Sequence, residues 1–145
     1  MNGNEDALAM RPTLSASGSR RMVEAAVAEA ESLSVAVTIV VVDESGVIKE
    51  VLRMDRAPLV SVQTAMNKAF AAAAIGMPPD GFYTAIKEDG AAVASFGTRP
   101  GLALIAGGMP VHSGGLVAGA IGVAGAMTGA EDRRIAEVAV KSLET

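Results

Sequence analysis

The chain has 145 residues, half of them hydrophobic, and a formal net charge of −4, which suits one domain with its own core and argues against a second. Its 12 basic residues are scattered rather than gathered into a stripe, so nucleic acid is not an expected partner. Cysteine is absent, which excludes a disulfide framework and a thiolate metal site, and with three Phe, one Tyr and no Trp the core must rely on close backbone packing.

The first residues, MNGNEDALAMRPT, are polar and acidic where a secretory signal would be basic and then apolar. Residues 1–12 are expected to form a flexible tail ahead of a single domain over 13–145, and a cytoplasmic location is the expectation. Leu14 and Ser15 read as a hydrophobic staple and an N-cap, followed by Met22, Ala26, Ala30 and Leu33 at helical spacing, which predicts a first helix ending near Ser34. Val35 to Val42 is rich in β-branched residues, Asp43 to Gly46 reads as a turn, and Val47 to Met54 as a second strand. The first strand of this hairpin is apolar on both alternating faces, so it should be central and covered on both sides.

Pro58 permits a helix start, and LVSVQTAMNKAFAAAAIG predicts a helix until Gly76, with Pro78 and Pro79 blocking continuation. DGFYTAIKEDG predicts a shorter helix closed by Gly90. Gly101 to Ala130 then contains no Asp, Glu, Lys or Arg and is long enough to raise the question of a membrane span. Pro110, His112, Ser113, Gly114 and Gly115 interrupt it, and the run is poor in Leu and Phe, so two strands, LALIAGGM and LVAGAIGVAGA, are expected instead of a bilayer helix. In the second strand Val117, Ile121 and Val123 should share one face. Ala118, Ala120, Gly122 and Ala124 should share the other, against which a helix can press closely. Thr128 and Glu131 match a capping box, and Ile135, Val138, Ala139 and Leu143 stripe a final helix. The order predicts an α/β (α+β) fold, an antiparallel sheet flanked by helices.

The segments VVDESG, LRMDRAP, Ser61 with AMNKAFAAA, GGMPV and VAGAIGVAGA before a helix carrying Asp132 resemble, in order, the GlcG/HbpS family of small bacterial proteins, also found as the C-terminal domain of PduO-type proteins. Ala124 departs from the family's frequent serine, and Arg133 stands where an acidic residue commonly follows the aspartate. The resemblance implies a profilin-like sandwich and assembly into dimers or larger rings up to octamers. It further implies that haem is bound by some members, while many others belong to catabolic operons.

Lys68 is the only charge between Arg56 and Asp80. Helical geometry places Ser61, Ala65, Lys68 and Ala72 on one narrow stripe of small residues. The lysine is either an outward, snorkelling side chain or a contact for an anion, or a base or nucleophile. A lysine recurs at this place in the resembled family. Arg53 and Asp55 either pair with each other at a strand end, or Arg53 clamps a carboxylate. His112 is the only histidine and Tyr83 the only tyrosine, each a candidate acid or base or haem ligand, or a solvent-facing or packing residue. Gly107 and Gly108 allow close backbone approach to a ligand or a tight helix to sheet contact. The ligand-binding set is therefore Arg53, Asp55, Ser61, Lys68, Gly107, Gly108 and His112, for a small anionic molecule or haem, with no metal site. If the chain is an enzyme acting on a small organic acid, Lys68, His112 and Tyr83 would be its catalytic groups.

Overall fold

The computed structural model describes residues 5–144, so the first four residues of the expected tail, and Thr145, lie outside the described residues. Among these the chain runs α1 (Ala16–Ser32), β1 (Thr38–Asp43), β2 (Ile48–Arg53), α2 (Val60–Ile75), α3 (Pro79–Ile86), α4 (Gly90–Gly97), β3 (Gly108–Ser113), β4 (Leu116–Ala124) and α5 (Gly129–Lys141). The strands form one antiparallel sheet in the order β2-β1-β4-β3. It is the helix-flanked α/β sandwich that the sequence predicts.

Side-chain caps open α1 and α5 where the sequence predicts them. Ser15 Oγ accepts the Gly18 amide at 3.0 Å, opening α1, and Thr128 Oγ1 accepts the Glu131 amide at 3.2 Å, opening α5. Gly76, at φ +81°, closes α2 in the left-handed region that an L side chain resists.

The alternating apolar residues of β1 feed two separate cores. Ile39 and Val41 pack with Met22, Ala26, Ile121, Val123 and Ile135 under α1 and α5, while Val40 and Val42 pack with Ala65, Ala69, Ala72 and Ala120 under α2. On the α2 side there is almost no side-chain bulk between helix and sheet. A methyl group on Gly122 would run into the Ala65 carbonyl and lie 2.5 Å from the Ala69 amide nitrogen. The small face of β4 is thus a contact surface for a backbone, and α2 lies directly on it.

Three local expectations change. The late hairpin turns at Gly114 and Gly115, with φ of +57° and +81°, so its first strand is GMPVHS and not LALIAGGM. Pro110 is tolerated inside β3 because an edge strand can lack one donor, and His112 consequently lies in the strand rather than in the turn. The β3–β4 register then shifts between Val111 and His112, pairing Val111 with Gly119 but His112 with Val117. The bulge turns Val117 towards α2, where it approaches Gly76, instead of leaving it beside Ile121 and Val123. The carbonyl of Ala118 accepts the Leu14 amide at 2.8 Å. Finally, Gly90 opens a helix rather than closing one, because Asp89 Oδ1 accepts the Ala92 amide at 3.1 Å and caps α4.

No helix among the described residues is long and apolar enough to cross a membrane. The close seat of α2 gives a direct test. Gly122→Ala should lower unfolding free energy by about 1–3 kcal/mol in urea denaturation, through overpacking against backbone that cannot yield. Gly90→Ala, whose added methyl meets nothing within 4 Å, should stay within about 0.5 kcal/mol of the parent.

Candidate functional site

The small-residue stripe of α2 faces the sheet, and it carries Lys68 inward with it. Lys68 is 2% exposed, which removes the outward, snorkelling alternative. Its Nζ donates to the Val123 carbonyl at 2.9 Å and to Asp132 Oδ2 at 3.0 Å. Asp132 Oδ1 in turn accepts the Ala126 amide at 3.0 Å. One cation therefore joins α2, the end of β4 and the first turn of α5. The two glycines ahead of β3 leave space for this junction: a Cβ on Gly107, at φ +124°, would stand 2.8 Å from Lys68 Nζ, and one on Gly108 would stand 2.6 Å from the Lys68 carbonyl.

Above the junction lies a recess of about 260 Å³ with Ser61, Thr64, Lys68 and Asp132 as its polar lining and Pro58, Val60 and Ile105 among its apolar residues. Ser61 is fully engaged. Its Oγ donates to the Pro58 carbonyl at 2.5 Å and meets Thr38 Oγ1 at 2.8 Å, pinning the start of α2 to β1. Arg53 does not pair with Asp55. Its Nε and Nη2 both donate to the Ala57 carbonyl, at 3.1 and 2.8 Å, and hold the loop that leads into α2, in which Asp55 is exposed.

His112 lies at the other end of α2, where its Nε2 is 3.1 Å from the Gly76 carbonyl. A carbonyl only accepts, so Nε2 is the donor, and in the neutral ring Nδ1 is then the nitrogen with a free lone pair. Lys68 and Gly76 are separated by about 12 Å of helix axis at 1.5 Å per residue. The structure therefore brings Ser61, Lys68, Gly107 and Gly108 together, leaving Arg53 at the end of β2 and Asp55 on the loop before α2. His112 stands apart from both groups.

Tyr83 belongs to a third surface. It is 44% exposed and lines a trough of about 280 Å³ with Val93, Phe96, Leu102, Leu104 and Ile105. Ile105 also lines the recess over Lys68, so the two depressions adjoin. The Tyr83 hydroxyl has no hydrogen-bond partner among the described residues. Phe96 meets Phe82 edge to face, with centroids 5.1 Å apart, and the Arg99 guanidinium stacks 4.7 Å above the Phe96 ring. Helix α4, GAAVASFG, buries none of its residues despite its apolar composition.

The helix before the trough is set by two contacts. Arg133 forms an ion pair with Asp80, tying α5 to the first turn of α3, and Pro79 closes over Gly108. Val93, Phe96, Arg99 and Leu102 were missed by reading Asp89-Gly90 as a stop. The signals were present in the capping aspartate and in Arg99-Pro100-Gly101-Leu102, which has the Pro and Gly of a type II turn.

The model of the family described as haem degrading protein HbpS-like matches residues 14–141, and the chain belongs to that family. An uncharacterized 15.0 kDa protein in the dhaT-dhaS intergenic region of Citrobacter freundii is 31% identical over 130 residues, covering 88% of this chain and 90% of that protein. The crystal structure of a double mutant of Streptomyces reticuli HbpS superposes with a TM-score of 0.87 at 29% identity, covering 99% of this chain and 95% of the other. The PduOC–haem complex superposes with a TM-score of 0.80 at 25% identity, covering 90% of this chain and 94% of the other.

Removing half of a buried ion pair leaves the other charge stranded, whereas removing both halves does not. Lys68→Met should therefore cost about 3–5 kcal/mol of stability in chemical denaturation. The double variant Lys68→Met, Asp132→Leu should be less destabilised than the sum of the two single variants, since the charge imbalance is gone.

Proposed function

We propose that this HbpS-like chain binds haem, with the macrocycle seated in the apolar trough between α3, α4 and residues 102–105 and the Tyr83 phenol as the iron ligand. The observation that carries this reading is an apolar helix, α4, with no buried residue, facing a trough whose polar edge is a phenol without a partner. Desolvating that surface against a flat apolar ligand is favourable, and tyrosine is among the side chains that ligate haem iron. The donor set therefore fits the group. Bound haem would supply redox and ligand-exchange chemistry at iron, while the chain supplies the seat, the oxygen donor and the control of solvent access. The PduOC–haem complex and the family description support the same ligand class.

His112 offers Nδ1 as another iron donor, but it lies at the exposed end of β3 and is not among the residues that line the trough. A trough of about 280 Å³ seats one face of a macrocycle and leaves the other open. A second copy of the chain covering that face is part of the proposal and agrees with the homo-oligomer that the family resemblance implies. Service in a catabolic pathway is also part of it, and rests on the resemblance rather than on the site. The alternative of an enzyme acting on a small organic acid needs Lys68, His112 and Tyr83 to converge; Lys68 lines one recess and Tyr83 the trough beside it, while His112 lines neither. The ammonium of Lys68 is already committed to two acceptors.

Titration with hemin, followed in the Soret region, tests the proposal. The parent protein should give a saturable shift, Tyr83→Phe should weaken binding at least about tenfold and remove the phenolate to iron charge-transfer band, and His112→Ala should bind as the parent does. Loss in His112→Ala with retention in Tyr83→Phe would move the ligand to the hairpin end. No saturable shift in the parent would end the haem reading.

A further inference from the structure

Arg99 is fixed beside the trough by backbone rather than by a carboxylate. Its amide donates to the Phe96 carbonyl at 3.2 Å, and its own carbonyl accepts the Leu102 amide at 3.3 Å. Pro100 and Gly101, the latter at φ +84°, complete a type II turn between them. This turn sends the chain back so that Leu102 lines the trough, and it leaves the Arg99 guanidinium over the ring of Phe96, a lining residue of the same trough.

Four other basic side chains are already committed: Lys68 holds Asp132, Arg133 holds Asp80, Arg134 holds Glu29 and Arg53 holds the Ala57 carbonyl. Lys87, one turn beyond Tyr83 at the end of α3, is exposed, forms no ion pair among the described residues and has no ring beneath it to hold it at the trough. Among the described residues Arg99 has no carboxylate partner and no side-chain hydrogen bond. Stacking on Phe96 restrains the guanidinium plane and leaves its N–H edge free, and that edge is the part which meets a carboxylate in a two-point contact. A cation held next to an apolar seat matches a ligand that is flat and apolar with an anionic margin.

We infer that Arg99 is the specificity-determining contact for the carboxylates of the ligand, selecting a dicarboxylic porphyrin over a neutral one of the same shape. This rests on the haem reading and names the group that recognises the ligand's charged edge. Tyr83 would ligate the iron, the lining of the trough would take the ring, and Arg99 would pair with a propionate. Because the pair lies at an exposed margin, its contribution is modest and falls with salt.

The test compares haem with iron protoporphyrin dimethyl ester, which keeps the metal and the ring and lacks the two anionic charges. Both are titrated spectroscopically into the parent protein, Arg99→Gln and Arg99→Leu. Arg99→Gln retains a planar group over Phe96 and removes only the charge, so it guards against a packing effect in Arg99→Leu. The parent should prefer haem over the ester by about fivefold or more at low salt, and both variants should lose that preference while keeping the Tyr83 charge-transfer band. Equal binding of haem and ester by the parent, or an undiminished preference in both variants, would overturn the role of Arg99 and leave the haem reading standing. Failure of the parent to bind either compound would instead remove the haem reading, and the inference with it.

Discussion

The buried pair of Lys68 and Asp132 is the junction on which the rest of the structure depends. Two charges removed from water gain little net stability, but each is costly without the other. The pair therefore acts less as glue than as a constraint on position. It requires α2 to lie flat on β4, which the glycine at 122 permits, and it requires α5 to begin where Asp132 can reach both Lys68 and the Ala126 amide. Gly107 and Gly108 are then needed because the start of β3 passes directly against the lysine.

The consequences extend to the trough. Arg133 follows Asp132 in the sequence, and its contact with Asp80 fixes the first turn of α3, while Pro79 seats on Gly108. Tyr83 is one turn further along the same helix. The position of the phenol is thus inherited from the buried pair through two short steps, although the pair itself takes no part in the proposed ligation. Such a division, with a rigid charged junction inside and an apolar seat outside, supports a site with residues whose own positions are held by packing.

Much of this was legible in the sequence because it is written in local chemistry. Ser15 and Thr128 announce their helices, the double apolar alternation of β1 announces a central strand, and the run of alanines around a single lysine announces a close helix face with something polar in it. Other features depend on partners far along the chain. Nothing near Lys68 names Asp132, 64 positions away, as its partner, and nothing near Arg53 shows that it will cap a carbonyl instead of pairing with Asp55. The bulge that turns Val117 over depends on pairing with β3, and strict alternation has no way to foresee it. Helix α4 was hidden for a different reason: Asp-Gly is a turn signal and also a good helix start, and only the tertiary context decides between them.

We propose the trough between α3, α4 and residues 102–105 as the ligand seat of this HbpS-like chain. Amide chemical-shift mapping with zinc protoporphyrin, a diamagnetic macrocycle of the same shape, addresses that claim most directly. A ligand seated in the trough should give saturable shifts centred on Tyr83, Val93, Phe96, Arg99 and Leu102 to Ile105, with the amides of the β3–β4 hairpin little affected. Shifts centred instead on His112 and Gly114 to Leu116, with the trough unperturbed, would contradict it.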